Sequence, residues 1–217
     1  MVFVTIGQSP RIDVIPELMA IMGKDFEYEE IGLLDDPQKL QSLKEFNIGD
    51  DELLVSRLRN GQEVKLPKSW VIHELKNLNL DTRELKVLLC TERFCLPDFI
   101  LPSEILEAFV VIFRPKKLGV VVPAKDQMEM VRKKWKSFVS NIKMTYFSPY
   151  TKTQGDLIIL ADRDLTILDC MGYDIEDEKY IRSYTDGIVV SARRLLANFL
   201  RNFITIDSVN SSGDDMR

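Results

Sequence analysis

Cys90 and Cys170 are the residues whose type and placement point most directly to chemistry. Each closes an apolar run of strand character, KVLLCTE over residues 86–92 and LTILDCMGYD over residues 165–174. In the second run, Leu165-Thr166-Ile167-Leu168 is stopped by Asp169-Cys170-Met171-Gly172-Tyr173, which sets a thiol beside a glycine turn. Open α/β sheets bind their ligands at the carboxyl ends of strands. Two thiols at such ends, facing one cleft, suit a reaction that deprotonates a carbon from one face and reprotonates it from the other. One cysteine is then the thiolate base and its partner the thiol acid. A free thiol, with a pKa of about 8.5, needs only modest tuning for that task.

A single strand-end cysteine is also common as a small buried hydrophobe. Asp169 and Asp174 would moreover raise a neighbouring thiol pKa. Equivalence is what singles out the pair. The chain reads twice as strand, helix, strand, helix, strand with a terminal cysteine. The strands start at Val2, Phe26 and Leu85 in the first half and at Lys117, Ile142 and Leu165 in the second. Alternating strands and helices imply parallel sheets with right-handed crossovers, so the strand-end loops share one edge. Residues 7–11 then correspond to 123–127, and Cys90 to Cys170.

The intervening elements follow from periodicity and caps. Helices are expected from an Asp13 cap to Gly23 and over residues 36–45, 68–78, 103–113 with Ser103 as cap, and 126–140. Further helices are expected over 156–161, after an Asp174 cap, and over 191–204 behind a strand at 187–190. Residues 53–58 and 62–66 flank Arg59-Asn60-Gly61 and read as a β-hairpin. The fold expected is α/β: two pseudo-symmetric Rossmann-like lobes whose parallel sheets face a central cleft. Residues 1–100 with 190–206 would form the first lobe, residues 101–189 the second, and 207–217 a flexible tail.

A chain of 217 residues that is 45% hydrophobic can build such cores. Its net charge of -5 gives no footprint for nucleic acid, and Arg132-Lys133-Lys134 with Lys136 reads as one solvated helix face. No run of about 18 apolar residues marks a membrane span, and no basic leader precedes an apolar segment, so the expected location is cytoplasmic. The single histidine, His73, and three scattered cysteines argue against a zinc site, so no metal is expected.

Around the two thiols, Gln8, Ser9 and Arg11 are either carboxylate donors or turn and cap residues. Ser191 and Arg193 follow the last strand on the ligand edge, where Ser191 binds ligand or caps the helix. Arg57 and Arg59 flank the hairpin tip and either close over an anion or solubilise it. Cys95 has no counterpart in the second half and reads as packing or a secondary thiol.

The sequence resembles the AroM family over nearly its whole length. The similarity is carried by VTIGQSPRIDVIPEL at 4–18, SRLRNGQEV at 56–64, LLCT at 88–91, KLGVVVP at 117–123 and LDCMGY at 168–173. The layout is also similar to the aspartate/glutamate/hydantoin racemase superfamily, in which each of two α/β lobes contributes one cysteine. Glu92 and Arg93 follow Cys90-Thr91, and Met171 stands where a small polar residue is usual there. That resemblance implies a racemase or isomerase without cofactor, acting next to a carboxylate or carbonyl. Cys90 and Cys170 would exchange the proton. Gln8, Ser9, Arg11, Thr91, Gly172 and Ser191 would bind a small carboxylate-bearing molecule, and a homodimer is the assembly implied. The alternative is a non-catalytic protein that binds or senses a small organic anion.

Overall fold

The computed structural model describes residues 1–23, 27–45, 51–81 and 83–211. Its first half contains β1 (Val2–Thr5), α1 (Ile15–Met22), β2 (Glu29–Gly32), α2 (Pro37–Glu45), β3 (Leu53–Arg57), β4 (Glu63–Pro67), α3 (Lys68–Lys76), β5 (Lys86–Leu88) and β6 (Phe99–Ile100). A crossing helix, α4 (Pro102–Phe113), leads to β7 (Leu118–Val122), α5 (Met128–Lys136), β8 (Ile142–Tyr146), β9 (Leu165–Leu168), α6 (Ile175–Arg182), β10 (Ile188–Ser191) and α7 (Ala192–Ser211). Single 3₁₀ turns at Lys125–Gln127 and Ile158–Leu160 take the places expected for the start of one helix and for a whole short helix.

Two four-stranded parallel sheets result, in the orders β2-β1-β5-β6 and β10-β9-β7-β8. Read from the second strand of each half, both have the order second, first, third, fourth, so the repeat seen in the sequence is a repeat of topology. The fourth strands complete it. β6 is only two residues long and lies in what reads as a loop, and β10 bonds to β9 in the second sheet. The helices that follow these fourth strands, α4 and α7, pack against each other, and α7 also packs on α1 of the first half.

Both faces of each sheet are covered, as parallel sheets require. Successive strand residues alternate between faces. Phe3, Val87, Leu89, Val120, Val122, Leu165 and Ile167 join one core shared by the two lobes with α1, α4, α5 and α7. Val2, Val4 and Leu88 face a core under α3 and the hairpin, and Val121, Leu168 and Val189 face one under α6.

Several caps differ from expectation. Val14, not Asp13, occupies the N-cap position of α1, and no side chain caps it, because Asp13 is held by Arg11. Gly23 does end α1 in the left-handed region, at φ 74°. α4 starts one residue before Ser103, whose buried hydroxyl has no partner among the described residues. Asp174 caps α6 through a reciprocal capping box with Asp177. The hairpin turns at Gly61, φ 91°, a backbone conformation that a side chain would strain. The strand start at Phe26 and the tail at 212–217 lie outside the described residues.

Candidate active site

Five strand ends converge on one cavity at the carboxyl edges of the two sheets. Arg11 comes from the loop after β1, Cys90 and Thr91 from β5, Pro123 and Gln127 from β7, Tyr150 from the turn after β8, and Asp169 to Gly172 from β9. Leu54, Val55 and Ser56 of the hairpin form a further wall. The space open to the centre of a water-sized sphere is about 40 Å³, enough for a compact molecule or a few waters.

Cys90 and Cys170 both line this cavity, Cys90 half-buried and Cys170 buried. They share a local device. The Gly172 N–H donates to Cys170 Sγ at 3.4 Å, and the backbone of Glu92 hydrogen-bonds to the Cys90 sulfur in the same way, two residues on. Burial nevertheless dominates both thiols. It pushes Cys90 up to about 12 against the Glu92 hydrogen bond, and Cys170 up to about 11 against the Gly172 N–H and the charge of Arg11. Asp169 adds to the rise at Cys170, as expected from the sequence.

Arg11 is only 3% exposed. Its Nε and Nη2 form a two-point pair with Asp13, both at 2.8 Å, Nη1 donates to Thr5 Oγ1 at 2.9 Å, and Nη2 reaches Tyr150 Oη at 3.4 Å. Burial alone would lower the guanidinium pKa, but the Asp13 hydrogen bond and charge hold it above its ordinary value. For Asp13, burial pulls upward, and the bonds and charges of Arg11 and Arg57 leave it below the usual carboxylate value. Burial, with the Cys170 thiol next in weight, pushes the Tyr150 phenol well up.

Lys134 is a correction to the sequence reading. It does not belong to a solvated face: α5 buries Val131, Lys134 and Trp135, spaced three and four residues apart. Lys134 Nζ donates to Thr91 O at 2.9 Å and lies 3.1 Å from Asp169 Oδ2, while Trp135 Nε1 donates to the same Oδ2 at 2.7 Å. Thr91 Oγ1 donates across to Asp169 O at 3.1 Å. Thr91 thus lines the cavity and ties the first thiol loop to the second.

Arg193, 1% exposed, holds the turn behind Cys170. Its Nε and Nη2 donate to Met171 O at 3.1 and 2.9 Å, Nη2 donates to Gly172 O at 3.0 Å, and Nη1 meets Glu17 Oε2 at 3.0 Å. Gly172 lines the cavity because a side chain does not fit there: a Cβ would stand 2.7 Å from Tyr150 Oη and 2.8 Å from Pro149 Cγ.

Gln8, Ser9 and Ser191 are not brought into the cavity lining. Gln8 donates to Leu34 O at 3.0 Å and accepts from the Arg59 N–H at 2.9 Å. Ser9 spends its N–H and hydroxyl on Asp35, at 2.8 and 2.6 Å. Ser191 Oγ accepts from Arg194 N at 3.2 Å, capping α7. Arg57 and Arg59 hold the hairpin down through Asp13, Asp35 and Ser9 O. Cys95 is exposed and apart from the cavity, so it is not a packing residue. Tyr150 and Lys134 were missed. Ser148-Pro149-Tyr150, a turn directly after a strand on the ligand edge, was the available signal for Tyr150.

The fold defines an α/β protein built on two parallel four-stranded sheets. The AroM protein family model matches residues 1–204, and the chain is a member of that family. Comparison with curated protein sequences gives no match. Among solved structures, a crystal structure of the maleate isomerase of Pseudomonas putida with maleate is similar, with a TM-score of 0.46 and 11% identity. That similarity covers 95% of this chain and 93% of the other. No described helix is long and apolar enough to cross a membrane.

Proposed function

We propose that this protein is a cofactor-independent isomerase or racemase that moves a proton at a carbon next to a carboxylate or carbonyl of a small molecule. The observation that supports it is the pair of thiols, carried to one cavity from equivalent strand ends of two repeated lobes. In the reaction, one cysteine as thiolate takes the proton from that carbon, and the C–H electron pair passes onto the adjacent carbonyl or carboxylate oxygen as an enolate. The partner thiol returns a proton to the other face as the pair moves back to carbon. Each turnover leaves the two cysteines with exchanged roles and the same total of protons. Tyr150 and Gly172 line the cavity, and their O–H and N–H would be donors to such an enolate oxygen.

The test is incubation in deuterated water with amino acids, hydantoins and small diacids, followed by mass spectrometry. Carbon-bound deuterium in one of them is expected. Cys90→Ser or Cys170→Ser should abolish full racemisation while leaving one-sided exchange within reach of the remaining thiol. No deuterium in any member of the panel would remove the proposal.

A second reading has its own support. Both thiols are protonated at neutral pH in the ligand-free protein, and the cavity cations Arg11 and Lys134 are already paired with Asp13 and Asp169. A binding protein for a small organic anion or carbonyl compound needs no thiolate. In that case a ligand raises the melting temperature without being turned over, and both cysteine-to-serine variants bind it normally.

A further inference from the structure

Among the described residues, two outer pockets adjoin the thiol cavity. The first leaves about 230 Å³ open to the centre of a water-sized sphere, is lined by Asp13, Arg57, Gly61 and Asp174, and shares Tyr150 and Gly172 with the thiol cavity. The second leaves about 180 Å³, is lined by Asp51, Glu52, Leu53 and Asp126, and shares Gln127 and Met130 with it. Each shared pair of residues is a partition that a molecule arriving on that side has to cross.

The two partitions are built differently. At the first, Tyr150 closes on Gly172, whose Cβ, if it had one, would stand 2.7 Å from Tyr150 Oη and 3.0 Å from Cζ. Tyr150 is half-buried, in the turn after β8, and its hydroxyl is held by one long hydrogen bond, from Arg11 Nη2 at 3.4 Å. At the second, Gln127 is buried and its Nε2 donates to Leu53 O at 3.1 Å, which fastens the hairpin to the second lobe.

Charge separates them further. Asp51, Glu52 and Asp126 line the second pocket, and even with Lys68 on Glu52 and Lys65 on Asp126, carboxylates there exceed cations. In the first, the Arg57 guanidinium is placed at the wall by two lining residues: Nε donates to Gly61 O at 3.3 Å, and Nη1 lies 3.5 Å from Asp13 Oδ1. Asp13 is already paired with Arg11, so the two arginines balance Asp13 and Asp174. An approaching carboxylate is repelled at the second mouth and not at the first.

We propose that the outer pocket beside Tyr150 is the entrance to the thiol cavity and that Tyr150 is a specificity-determining residue, its ring the partition that swings off Gly172 to admit a small carboxylate-bearing molecule. The entrance goes beyond the proposed proton transfer and does not depend on it. It also gives Arg57 a task besides holding the hairpin, which is to draw an anion to the mouth.

The test follows alkylation of Cys170 and Cys90 in the full chain at pH 9 by peptide mass spectrometry, with the exposed Cys95 as reference. The reagents are iodoacetamide, the anionic iodoacetate and the bulky pyrenyl maleimide. Tyr150→Ala should speed iodoacetamide at Cys170 roughly tenfold, because the partition no longer has to open, and should admit the maleimide that the wild type excludes. Cys95 should react alike in both proteins. Wild-type behaviour of Cys170 in Tyr150→Ala overturns the inference. Arg57→Gln leaves the partition whole and tests the mouth. The ratio of iodoacetate to iodoacetamide rates at Cys170 should fall roughly threefold at low salt, the effect of one cation a few ångströms from the path, and Asp126→Asn should leave that ratio unchanged. A ratio that follows Asp126 and ignores Arg57 puts the entrance at the second pocket and overturns the inference. Should Tyr150→Ala not fold, the Arg57 comparison decides alone. Either failure leaves proton transfer standing, since deuterium incorporation decides that separately.

Discussion

Lys134 Nζ lies 3.1 Å from Asp169 Oδ2 inside the protein, and the same ammonium reaches Thr91 O at 2.9 Å. One cation of the second lobe therefore joins the residue after Cys90 to the residue before Cys170. The pair sits at 6% and 1% side-chain exposure, so neither charge has water to fall back on.

Breaking it from one side should be costly. Lys134→Met leaves Asp169 buried with Trp135 as its remaining side-chain donor, and removal of one partner of a buried pair costs roughly 3–5 kcal/mol. Urea denaturation should show that loss. Adding Asp169→Leu to it should restore a large part, since no lone charge then remains. Lys133→Met, on the exposed side of the same helix, should change stability by no more than about 0.5 kcal/mol. A Lys134→Met variant as stable as the Lys133 one would show that the pair does not hold the thiol loops together.

Lys134 also marks where the sequence stops being legible. Residues 165–168 read as a strand and form one with those bounds, and the two cysteines read as equivalent and do border one cavity. Those features are local: apolar runs, turn residues and their order along the chain. Lys134 stands in a basic run whose neighbours Lys133 and Lys136 are exposed, and its burial depends on a carboxylate 35 residues away. Gln8 and Ser9 stay out of the cavity lining for a similar reason. Asp35 and the hairpin take their polar groups first, a competition visible only once β2 and the hairpin are in place. The two-residue β6 is too short to carry any pattern of its own.

Gly7 should tolerate no side chain. A Cβ there would stand 2.4 Å from Arg57 O and 2.5 Å from Ser56 Oγ, and Arg57 O is the acceptor of the Gln8 N–H at 3.2 Å. Gly7→Ala therefore has to push β3 away from the first lobe. The expected loss is about 1–3 kcal/mol, in the range of overpacked sites. Limited proteolysis should show faster cleavage near residues 59–61. Unchanged cleavage and stability would mean that the hairpin does not need its seat on Gly7.

Arg193→Met should loosen the turn that carries Cys170. The substitution removes three donated hydrogen bonds to Met171 O and Gly172 O and leaves Glu17 without this partner. Charge-assisted bonds are worth roughly 1.5–3 kcal/mol each, and with partial replacement by water a loss of about 2–4 kcal/mol is expected in denaturant titration. Cys170 should also become more reactive, because a less buried thiol ionises more easily. Iodoacetamide labelling followed by peptide mass spectrometry should then show faster modification of Cys170 with little change at Cys95. Slower or equal labelling at Cys170 would contradict the role given to Arg193.

Titration of the two thiols gives the last expectation. Burial holds Cys170 at about 11 and Cys90 at about 12, both above the value of a free thiol. Between that value and the raised ones, the unfolded chain has released protons that the folded chain still holds. The slope of stability with pH follows the protons bound by the unfolded state minus those bound by the native state, so it is negative in this window. Their contribution is fully present below pH 9 and is lost as pH rises through about 11 and 12. The gap in stability between wild type and a Cys90→Ser, Cys170→Ser double variant should therefore shift against the wild type from pH 9 upward. Proton transfer calls for the opposite trend, since it requires one cysteine as thiolate. Deuterium incorporation should rise about tenfold per pH unit from neutrality toward pH 11, as long as the fold persists. An exchange rate already flat at pH 7 would mean that the ligand itself lowers a thiol pKa by several units, or that neither cysteine is the base. Labelling by iodoacetamide with the ligand bound separates the two: in the first case Cys170 or Cys90 is modified rapidly at pH 7, and in the second neither is.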